Sequence, residues 1–462
     1  MIDIKSLKRI HFIGVGGIGI SYLAHYFLRQ GAVVSGSDLA QTQVTDQLAA
    51  RGAILFQGHD AENVPQDADL VVANDAVPAD NQERLKAAEL KIPVMSNFEL
   101  VGLISENYQT IAVAGNKGKT TTSAMIATIL EAAGCDPTGM IGSIVNEWKC
   151  NFRQGQSDYL VIEADEYKEH FLQIKTNKAV ITNMAADHLD YFGDEQGVID
   201  AFQKFVDQLP ANGTLIINQD DELIKKLQRP NCNIITFGIN NTADIVAEDF
   251  ETINNRQFFS VRHHHNELGR FSLVFPGKFN VYNALAAIGT CLDLGVGIKK
   301  VQQGLADFKG TWRRFQIIGP YKGATVISDY AHHPVAVHGT LEAAQDFYSG
   351  QRLVAVFQSH TRHRTKSLFK DFVASLDPAD VIIIPEIFEV SGREVMPQEE
   401  MNSQMLVDAI KERDSQHGRE RIVLNGGDLS QTKVLIDKHV QAKDILLFMG
   451  AGNIYQLAES LI

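Results

Sequence analysis

Short apolar segments alternate with helix-like segments along most of the chain, and this alternation is the feature that most limits its fold. Residues 9–13 are predicted to form a buried strand, a glycine turn follows, and an apolar helix is predicted over about 20–30. Strands that alternate with helices favour parallel pairing, because each crossover places a helix on a face of the sheet. The sequence therefore predicts an α/β fold built on doubly wound parallel sheets.

The alternation restarts twice, which predicts three α/β units in series. A strand over 109–114 meets a second glycine loop and a long helix, and a further set of strands and helices begins at Thr311. At about 150 residues per domain, a chain of 462 residues is long enough for three domains. We predict domains at residues 1–105, 106–310 and 311–462.

The charge balance and the cysteines restrict the partners and the compartment. The chain has 42 Lys and Arg residues against 56 Asp and Glu residues, a formal net charge of −14. Because nucleic acids and membrane surfaces are polyanionic, this balance argues against binding to either one. The four cysteines are widely spaced, and no apolar run reaches the roughly 18 residues of a membrane span. We predict a cytoplasmic protein with free thiols, without nucleic-acid binding or membrane insertion.

Residues 14–19 fit the pattern G-x-G-x-x-G between a predicted strand and a predicted helix. Glycines let the backbone approach a diphosphate closely, and the helix N-terminus offers unpaired N–H groups. Three interpretations stay open: a nicotinamide dehydrogenase, another diphosphate ligand such as a nucleotide sugar, or glycines that only allow close packing. Asp38 ends the next predicted strand, where it would bind a sugar hydroxyl or a base edge. The candidate residues are Gly14, Gly16, Gly17, Gly19 and Asp38.

Residues 115–122 form a second glycine loop, G-N-K-G-K-T-T-T, which suits a triphosphate. Backbone N–H groups would wrap the phosphates, Lys119 would supply charge, and the Thr120 hydroxyl would bind Mg²⁺. The loop lacks the first glycine of the full phosphate-loop motif, because Val113 occupies that position.

Acidic side chains follow the next predicted strands. Glu163, Asp165 and Glu166 end one strand, and the pair Asp187–His188 follows another. Because the carboxyl ends of parallel strands meet at one edge of a sheet, these groups are expected near the glycine loop. Glu163 is then a candidate Mg²⁺ ligand, and the alternative is a set of solvated strand ends.

Eight separated runs together resemble the Mur ligase family, enzymes that build the bacterial peptidoglycan precursor by ATP-driven amide formation. The resemblance spans essentially the whole chain, and it implies three domains: a Rossmann-like N-terminal domain, a central P-loop ATPase domain and a Rossmann-like C-terminal domain. The matching runs lie at 115–122, 163–166, 182–188, 276–284, 313–315, 329–334, 357–364 and 450–453.

The resemblance also implies an activity and a set of partners. L-alanine would be joined to the lactyl carboxylate of UDP-N-acetylmuramate through an acyl phosphate, with ATP and Mg²⁺ as cofactors. The protein is expected to be a monomer or a homodimer. The alternatives are a ligase that attaches a recycled murein tripeptide, a nicotinamide-dependent oxidoreductase, and a homologue without catalytic activity.

By the same resemblance, individual residues receive roles, while Glu166 and His333 are the candidates for accepting the amine proton. The nucleotide would be held by Gly115, Asn116, Lys117, Gly118, Lys119, Thr120, Thr121, Asn283, Arg314 and Asp329. The metal ligands would be Thr120, Glu163 and His188. The catalytic residues would be Lys119, Glu163, His188, Arg314 and His333. The glycine turn with Asp38 would bind the sugar nucleotide, and His360 and Arg364 the amino acid.

The chain also departs from the usual family pattern at several positions. Two of them concern the sugar-nucleotide region, since Asn74–Asp75 stands where serines are common and Asn97 where an arginine is usual. The other departures are Asn116, Lys117, Phe279, Ser328 and the run 359–364.

Overall fold

The computed structural model describes residues 2–389 and 396–462. The chain forms two compact units. The first comprises Met1–Phe250, Phe259–Ser272 and Phe279–Thr311, and the second comprises Glu251–Phe258, Leu273–Lys278 and Trp312–Ile462. The predicted domain limits near 105 and 311 stay predictions.

The chain begins with a five-stranded sheet in which every neighbouring pair is parallel. Its strands are β1 (Arg9–Ile13), β2 (Val33–Asp38), β3 (Ile54–Gln57), β4 (Leu70–Ala73) and β5 (Val94–Ser96). Its helices are α1 (Ile18–Arg29), α2 (Gln43–Ala50), α3 (Gln82–Glu89) and α4 (Asn97–Ser105). The order β3-β2-β1-β4-β5 reverses direction at β1, so the loop after β1 lies at the topological switch point where such sheets bind ligands.

A ten-stranded sheet follows, in the order β15-β14-β13-β12-β11-β10-β6-β9-β7-β8. Its strands are β6 (Gln109–Ala114), β7 (Thr138–Val145), β8 (Cys150–Arg153), β9 (Tyr159–Glu163), β10 (Lys178–Ile181), β11 (Thr214–Asn218), β12 (Asn233–Gly238), β13 (Ile245–Ile253), β14 (Arg256–His263) and β15 (Asn266–Leu273). The accompanying helices are α5 (Lys119–Ala133), α6 (Leu189–Phe192), α7 (Glu195–Asp207), α8 (Lys278–Asp293) and α9 (Ile298–Asp307). The strands β9, β6, β10 and β11 are parallel neighbours at its centre.

The second unit holds a six-stranded sheet in the order β16-β17-β21-β18-β19-β20, parallel except for the pair β16–β17. Its strands are β16 (Gln316–Tyr321), β17 (Ala324–Asp329), β18 (Leu353–Phe357), β19 (Val381–Pro385), β20 (Ile422–Gly427) and β21 (Ile445–Met449). Its helices are α10 (Pro334–Phe347), α11 (Arg362–Ser367), α12 (Phe369–Ser375), α13 (Ser403–Gln416), α14 (Leu429–His439) and α15 (Ile454–Glu459). Short 3₁₀ helices in the chain cover Ile4–Ser6, Ala61–Asn63, Tyr167–Gln173 and Ile224–Lys226.

The central strands are buried along almost their whole length because helices cover the sheets. Every residue of β6 after Gln109 is buried, and so is every residue of β18 and β21. Strands buried on both faces lose the alternation of apolar and polar residues, which agrees with the apolar runs in the sequence. Across the described ranges, no helix is both long enough and apolar enough to cross a membrane.

Candidate active site

The first glycine turn connects β1 to α1 and is held by backbone hydrogen bonds. Gly14 has φ +76°, a left-handed conformation that favours glycine. The N–H groups of Gly14 and Val15 donate to the carbonyl oxygen of Ser37, at 2.8 and 3.0 Å. Gly17, which has no side chain, then caps α1, and the first N–H groups of the helix are left for an anion.

Asn74 and Asp38 pack directly against this turn. A Cβ atom added to Gly17 would lie 2.6 Å from Nδ2 of Asn74, so the turn leaves no room for a larger residue without movement. Both carboxylate oxygens of Asp38 accept backbone N–H groups, Oδ2 from Gly16 at 2.8 Å and Oδ1 from Ala40 at 3.1 Å. The carboxylate of Asp38 therefore fixes the turn itself, and its predicted contact with the sugar nucleotide stays a prediction.

A buried carboxylate supports the same turn from inside the fold. The Ser37 hydroxyl donates to Oε2 of Glu83 at 2.5 Å, and the amide of Asn63 donates to Oε1 at 2.7 Å. Burial pushes the pKa of Glu83 upward, but hydrogen bonds from His11, Ser37 and Asn63 outweigh burial and lower it. Glu83 thus stays ionised beneath Ser37, whose carbonyl oxygen accepts the N–H groups of the turn.

The second glycine loop connects β6 to α5 with two left-handed glycines. Gly115 has φ +128° and Gly118 has φ +86°, conformations that L side chains rarely adopt. A Cβ atom on Gly118 would lie 2.3 Å from Oδ1 of Asn283, which also accepts the Thr122 hydroxyl at 3.3 Å. Asn283, one of the residues expected to hold the nucleotide, therefore has its amide on the phosphate loop in this structure.

The loop is tied to the chain that follows β10. Oγ1 of Thr182 and Nδ2 of Asn183 both donate to the carbonyl oxygen of Lys117 at 2.6 Å, and the Lys117 N–H donates back to Oδ1 of Asn183 at 3.0 Å. Asn116, one of the departures from the family pattern, accepts the N–H of Ala185 at 2.6 Å. The side chain of Asn116 therefore anchors the loop, whereas the Lys117 residue is exposed.

Lys119 is the buried cation of this loop. Its ammonium lies 2.7 Å from Oε2 of Glu166 and 2.7 Å from the carbonyl oxygen of Gly115. Burial alone would lower the pKa of Lys119, but the carboxylates of Glu166, Glu163 and Asp165 outweigh it and raise the pKa. The ammonium is therefore charged at neutral pH and poised to neutralise phosphate oxygens.

Thr120 and Glu163, two of the predicted metal ligands, are hydrogen-bonded to each other. Oγ1 of Thr120 donates to Oε2 of Glu163 at 2.8 Å, and the same oxygen accepts the N–H of Gly142 at 3.0 Å. Hydroxyl and carboxylate oxygens are the donors that Mg²⁺ prefers, and Mg²⁺ usually completes its shell with phosphates and water. Within the described residues, no three His, Cys, Asp or Glu side chains gather as a metal site.

His188 lies on the Tyr167 ring, with ring centroids 4.8 Å apart. Its backbone is left-handed, with φ +53°, at the start of α6. The structure thus joins Thr120 to Glu163 directly and places His188 against the segment that follows β9. The metal-binding role of His188 stays a prediction.

In the second unit, Arg313 and Arg314 have different surroundings. Arg313 is buried, and its guanidinium lies over the rings of Tyr455 at 4.6 Å, Tyr330 at 4.7 Å and Trp312 at 5.5 Å. Arg314 is exposed and lies over the Tyr330 ring at 5.2 Å. The exposed charge of Arg314 is available for a ligand. Arg313, which received no role from the sequence, is buried and packs the loop that carries Arg314.

Asp329 holds this arginine loop. Its carboxylate accepts the N–H groups of Phe315 at 2.7 Å and Ala331 at 2.8 Å. Burial raises the pKa of Asp329, although both hydrogen bonds and Arg314 act against that rise. The nucleotide-binding roles predicted for Arg314 and Asp329 stay predictions.

Of the two histidines predicted to act in the second unit, His333 and His360, the second lies beside another histidine ring. His332, rather than His333, lies beside His360, with ring centroids 6.1 Å apart. Nδ1 of His332 lies 3.0 Å from the carbonyl oxygen of Tyr330, so this nitrogen carries the proton and Nε2 is the free acceptor. Burial lowers the pKa of His332 to about 4. His333 begins α10 and is exposed, and Arg364 is exposed on α11.

A phosphate loop with its own lysine and carboxylates, set on parallel sheets, defines a nucleotide-using α/β enzyme. Three consecutive segments match family models. Residues 9–109 match the Mur ligase family catalytic domain, 113–291 the Mur ligase middle domain, and 313–452 the Mur ligase glutamate ligase domain. The chain belongs to the Mur ligase family of ATP-dependent ligases, which confirms the predicted family and the three-domain architecture.

Three similar proteins carry the same named activity. The UDP-N-acetylmuramate–L-alanine ligase of Alkaliphilus metalliredigens is 41% identical over 463 residues, which cover 100% of this chain and 98% of that protein. The ligase of the same name from Caldanaerobacter subterraneus is 40% identical over 468 residues, with the same two coverages. The crystal structure of UDP-N-acetylmuramate-alanine ligase from Thermotoga maritima superposes with a TM-score of 0.85, at 29% identity over 98% of both chains.

Proposed function

We propose that this protein joins L-alanine to the lactyl carboxylate of UDP-N-acetylmuramate at the expense of ATP. The names and the full-length similarity of its relatives support this activity over the recycling of a murein tripeptide and over a nicotinamide-dependent reaction. The observation that carries the proposal is the phosphate loop, where Lys119 pairs with Glu166 and Thr120 contacts Glu163. A nicotinamide oxidoreductase would leave these four side chains without a task.

The reaction needs activation because a carboxylate would have to expel oxide. ATP, when bound, supplies the phosphoryl group that converts the carboxylate into an acyl phosphate. In this first step a carboxylate oxygen bonds to the γ-phosphorus, and the bond to the bridging oxygen breaks. The alanine nitrogen then bonds to the acyl carbon, the bond from that carbon to the phosphate oxygen breaks, and the amine loses a proton.

The residues of the loop would bring two anions together. When ATP binds, the Lys119 ammonium would leave Glu166 and contact phosphate oxygens instead. Its positive charge would then offset the repulsion between the substrate carboxylate and the triphosphate. Thr120 and Glu163 would hold Mg²⁺ through their oxygens, and His188, whose ring lies on Tyr167, would be the third ligand. Catalysis would come mainly from positioning and electrostatics, since the chemistry belongs to the two substrates.

Two groups offer an acceptor for the amine proton. Glu166 would be released when Lys119 turns to the phosphates, and burial raises its pKa, which makes the freed carboxylate a better base. His333, the residue before α10, is the other candidate. Arg314 would contact the nucleotide, and His360 and Arg364 the amino acid. The protein would work in the cytoplasm as a monomer or homodimer.

ADP release tests the proposed function. Wild-type protein, ATP and Mg²⁺ should give stoichiometric ADP with UDP-N-acetylmuramate and L-alanine, and none with UDP-N-acetylglucosamine, which lacks the lactyl carboxylate. Faster release with L-alanyl-γ-D-glutamyl-meso-diaminopimelate than with L-alanine would instead establish the tripeptide ligase. Absence of turnover with every acceptor would support a homologue without catalytic activity.

A further inference from the structure

The segment that follows β9 has an unusual backbone. Lys168 and Glu169 are consecutive left-handed residues, with φ +51° and +58°, inside the 3₁₀ helix Tyr167–Gln173. Non-glycine residues rarely adopt this conformation, and it persists where the surrounding contacts impose it, often at functional sites. The contacts of this segment therefore indicate what the strain achieves.

The segment is anchored on the first sheet by His170. The His170 ring stacks on Phe98 of α4 with centroids 3.6 Å apart, and its Nδ1 lies 3.1 Å from Oδ2 of Asp165. Lys168 projects beside this anchor, and its ammonium donates to Oδ2 of Asp75 at 2.8 Å. The Lys168 side chain is still 41% exposed, so a single carboxylate does not enclose its charge.

The residues around Lys168 contact both predicted anion sites. Asp75 follows Asn74, whose amide packs under the first glycine turn. At the other end, Glu166 lies two residues before Lys168 and pairs with Lys119 of the phosphate loop. Lys168 is thus a cation on a short segment that contacts Asp75, beside the first glycine turn, and Lys119 of the second glycine loop.

A ligand that spans the two loops needs such a cation. On the proposed function, the sugar nucleotide lies between the glycine turn and the phosphate loop with two phosphates and one carboxylate. Asn97, where an arginine is usual in the family, is buried, and its Oδ1 has no hydrogen-bond partner among the described residues. Asn97 therefore supplies no positive charge beside the turn, while Lys168 does.

We propose that Lys168 is a substrate-binding residue whose ammonium contacts an anionic oxygen of the sugar nucleotide, and that Asp75 holds this ammonium before the substrate binds. The inference rests on the proposed function. It predicts opposite effects for the two members of the ion pair. Removing Lys168 removes the attraction for the substrate, whereas removing the charge of Asp75 removes a competitor and a repulsive charge.

Isothermal titration calorimetry without ATP tests the pair. Lys168→Gln should raise the Kd of UDP-N-acetylmuramate about tenfold, and Lys168→Arg should keep it within about threefold of wild type. Asp75→Asn should lower the Kd by about two- to fivefold. The matched control is Lys204→Gln, because Lys204 pairs with the neighbouring Glu169 at 2.7 Å and is 59% exposed. Its Kd should stay within about twofold of wild type.

Three nucleotides identify the atom that Lys168 contacts. If Lys168→Gln weakens the binding of UDP, UDP-N-acetylglucosamine and UDP-N-acetylmuramate alike, Lys168 contacts a phosphate. If it weakens the binding of UDP-N-acetylmuramate only, Lys168 contacts the carboxylate. Both results support the proposal. In turnover, the KM for the sugar nucleotide should rise with the Kd, while kcat and the KM for ATP stay within about twofold.

A purely structural ion pair gives a different pattern. In that case Lys168→Gln and Asp75→Asn shift the Kd in the same direction, or both match Lys204→Gln, and the proposal is wrong. Failure of the proposed function is distinguishable, because the wild type would then release no ADP with UDP-N-acetylmuramate and L-alanine.

Discussion

The two glycine-rich loops of the first unit share a backbone plan and differ in their side chains. Each follows a parallel strand with a left-handed glycine, Gly14 or Gly115, and each opens a helix. The first turn is braced by neutral and acidic groups, with the Asp38 carboxylate accepting the N–H of Gly16. The second carries the Lys119 ammonium among carboxylates. Backbone shape thus makes both loops suitable for phosphate, while the side chains decide which one can support a reaction.

This difference separates binding from catalysis. A turn that offers only N–H groups and a helix terminus can hold a diphosphate without changing its reactivity. A loop with a lysine ammonium beside a hydroxyl and a carboxylate can stabilise charge that develops during phosphoryl transfer. The comparison predicts that substitutions in the two loops affect different kinetic constants.

The largest expected effect is at Lys119. Lys119→Met should lower kcat/KM for ATP-dependent ADP release by about 10³-fold, because the buried cation that faces the phosphates is lost. The control is Lys117→Met in the same loop, which keeps the backbone hydrogen bonds of residue 117 to Thr182 and Asn183. This variant should lower kcat/KM by less than about tenfold. Equal losses in the two variants would show that general loop charge, rather than the Lys119 position, matters.

Gly118→Ala should have the next largest effect. Its φ of +86° is unfavourable for alanine, and the new Cβ would clash with Oδ1 of Asn283. We expect the free energy of unfolding to fall by about 1–3 kcal/mol and the Kd for ATP to rise. Adding Asn283→Ala removes the clash but not the backbone strain, so it should recover part of the unfolding energy. No recovery would mean that the conformation alone sets the cost.

Gly17→Ala tests the first turn. The added Cβ would lie 2.6 Å from Nδ2 of Asn74, so the turn must shift. The KM for UDP-N-acetylmuramate should rise about tenfold, while the KM for ATP stays within about twofold. Gly19→Ala provides the comparison, since an added Cβ there meets no atom within 4 Å and should raise the KM less. A rise in the KM for ATP would break the separation between the loops.

The smallest effect is expected at the acid beneath the first turn. Glu83→Gln should lower the free energy of unfolding by about 1–3 kcal/mol at pH 7. The pKa of Glu83 is lowered from 4.5 in the folded protein, so the unfolded chain binds the proton first as the pH falls. The stability that Glu83 contributes is therefore complete above about pH 4.5 and is lost as the pH falls through its folded pKa.

Urea titrations at several pH values measure this effect. The difference between wild type and Glu83→Gln should shrink below about pH 4.5. Glu89→Gln on the same helix is the control, because Glu89 is 69% exposed and pairs only with nearby Lys86. A pH-independent difference would mean that Glu83 acts through packing and not through its charge.

Local features were predicted closely, because they depend on neighbouring residues. The helix expected after the second glycine loop begins at Lys119, where the glycine at 118 caps it. The turn over 14–19 also lies between β1 and α1 as expected. Contacts between distant residues were predicted less well. The sequence pattern did not indicate that Asp38 would accept the N–H of Gly16, or that Asp75 would reach Lys168.

The amino-acid order by itself determined the parallel sheets, the two phosphate-suited loops and the family, because apolar periodicity, glycine conformation and short motifs are properties of consecutive residues. Only the tertiary structure decided which side chains meet. Thr120 and Glu163 are 43 positions apart, and Lys168 and Asp75 are 93 apart, yet each pair is in direct contact. Such contacts depend on how strands pair and how loops pack at the sheet edge, and no local pattern encodes that geometry.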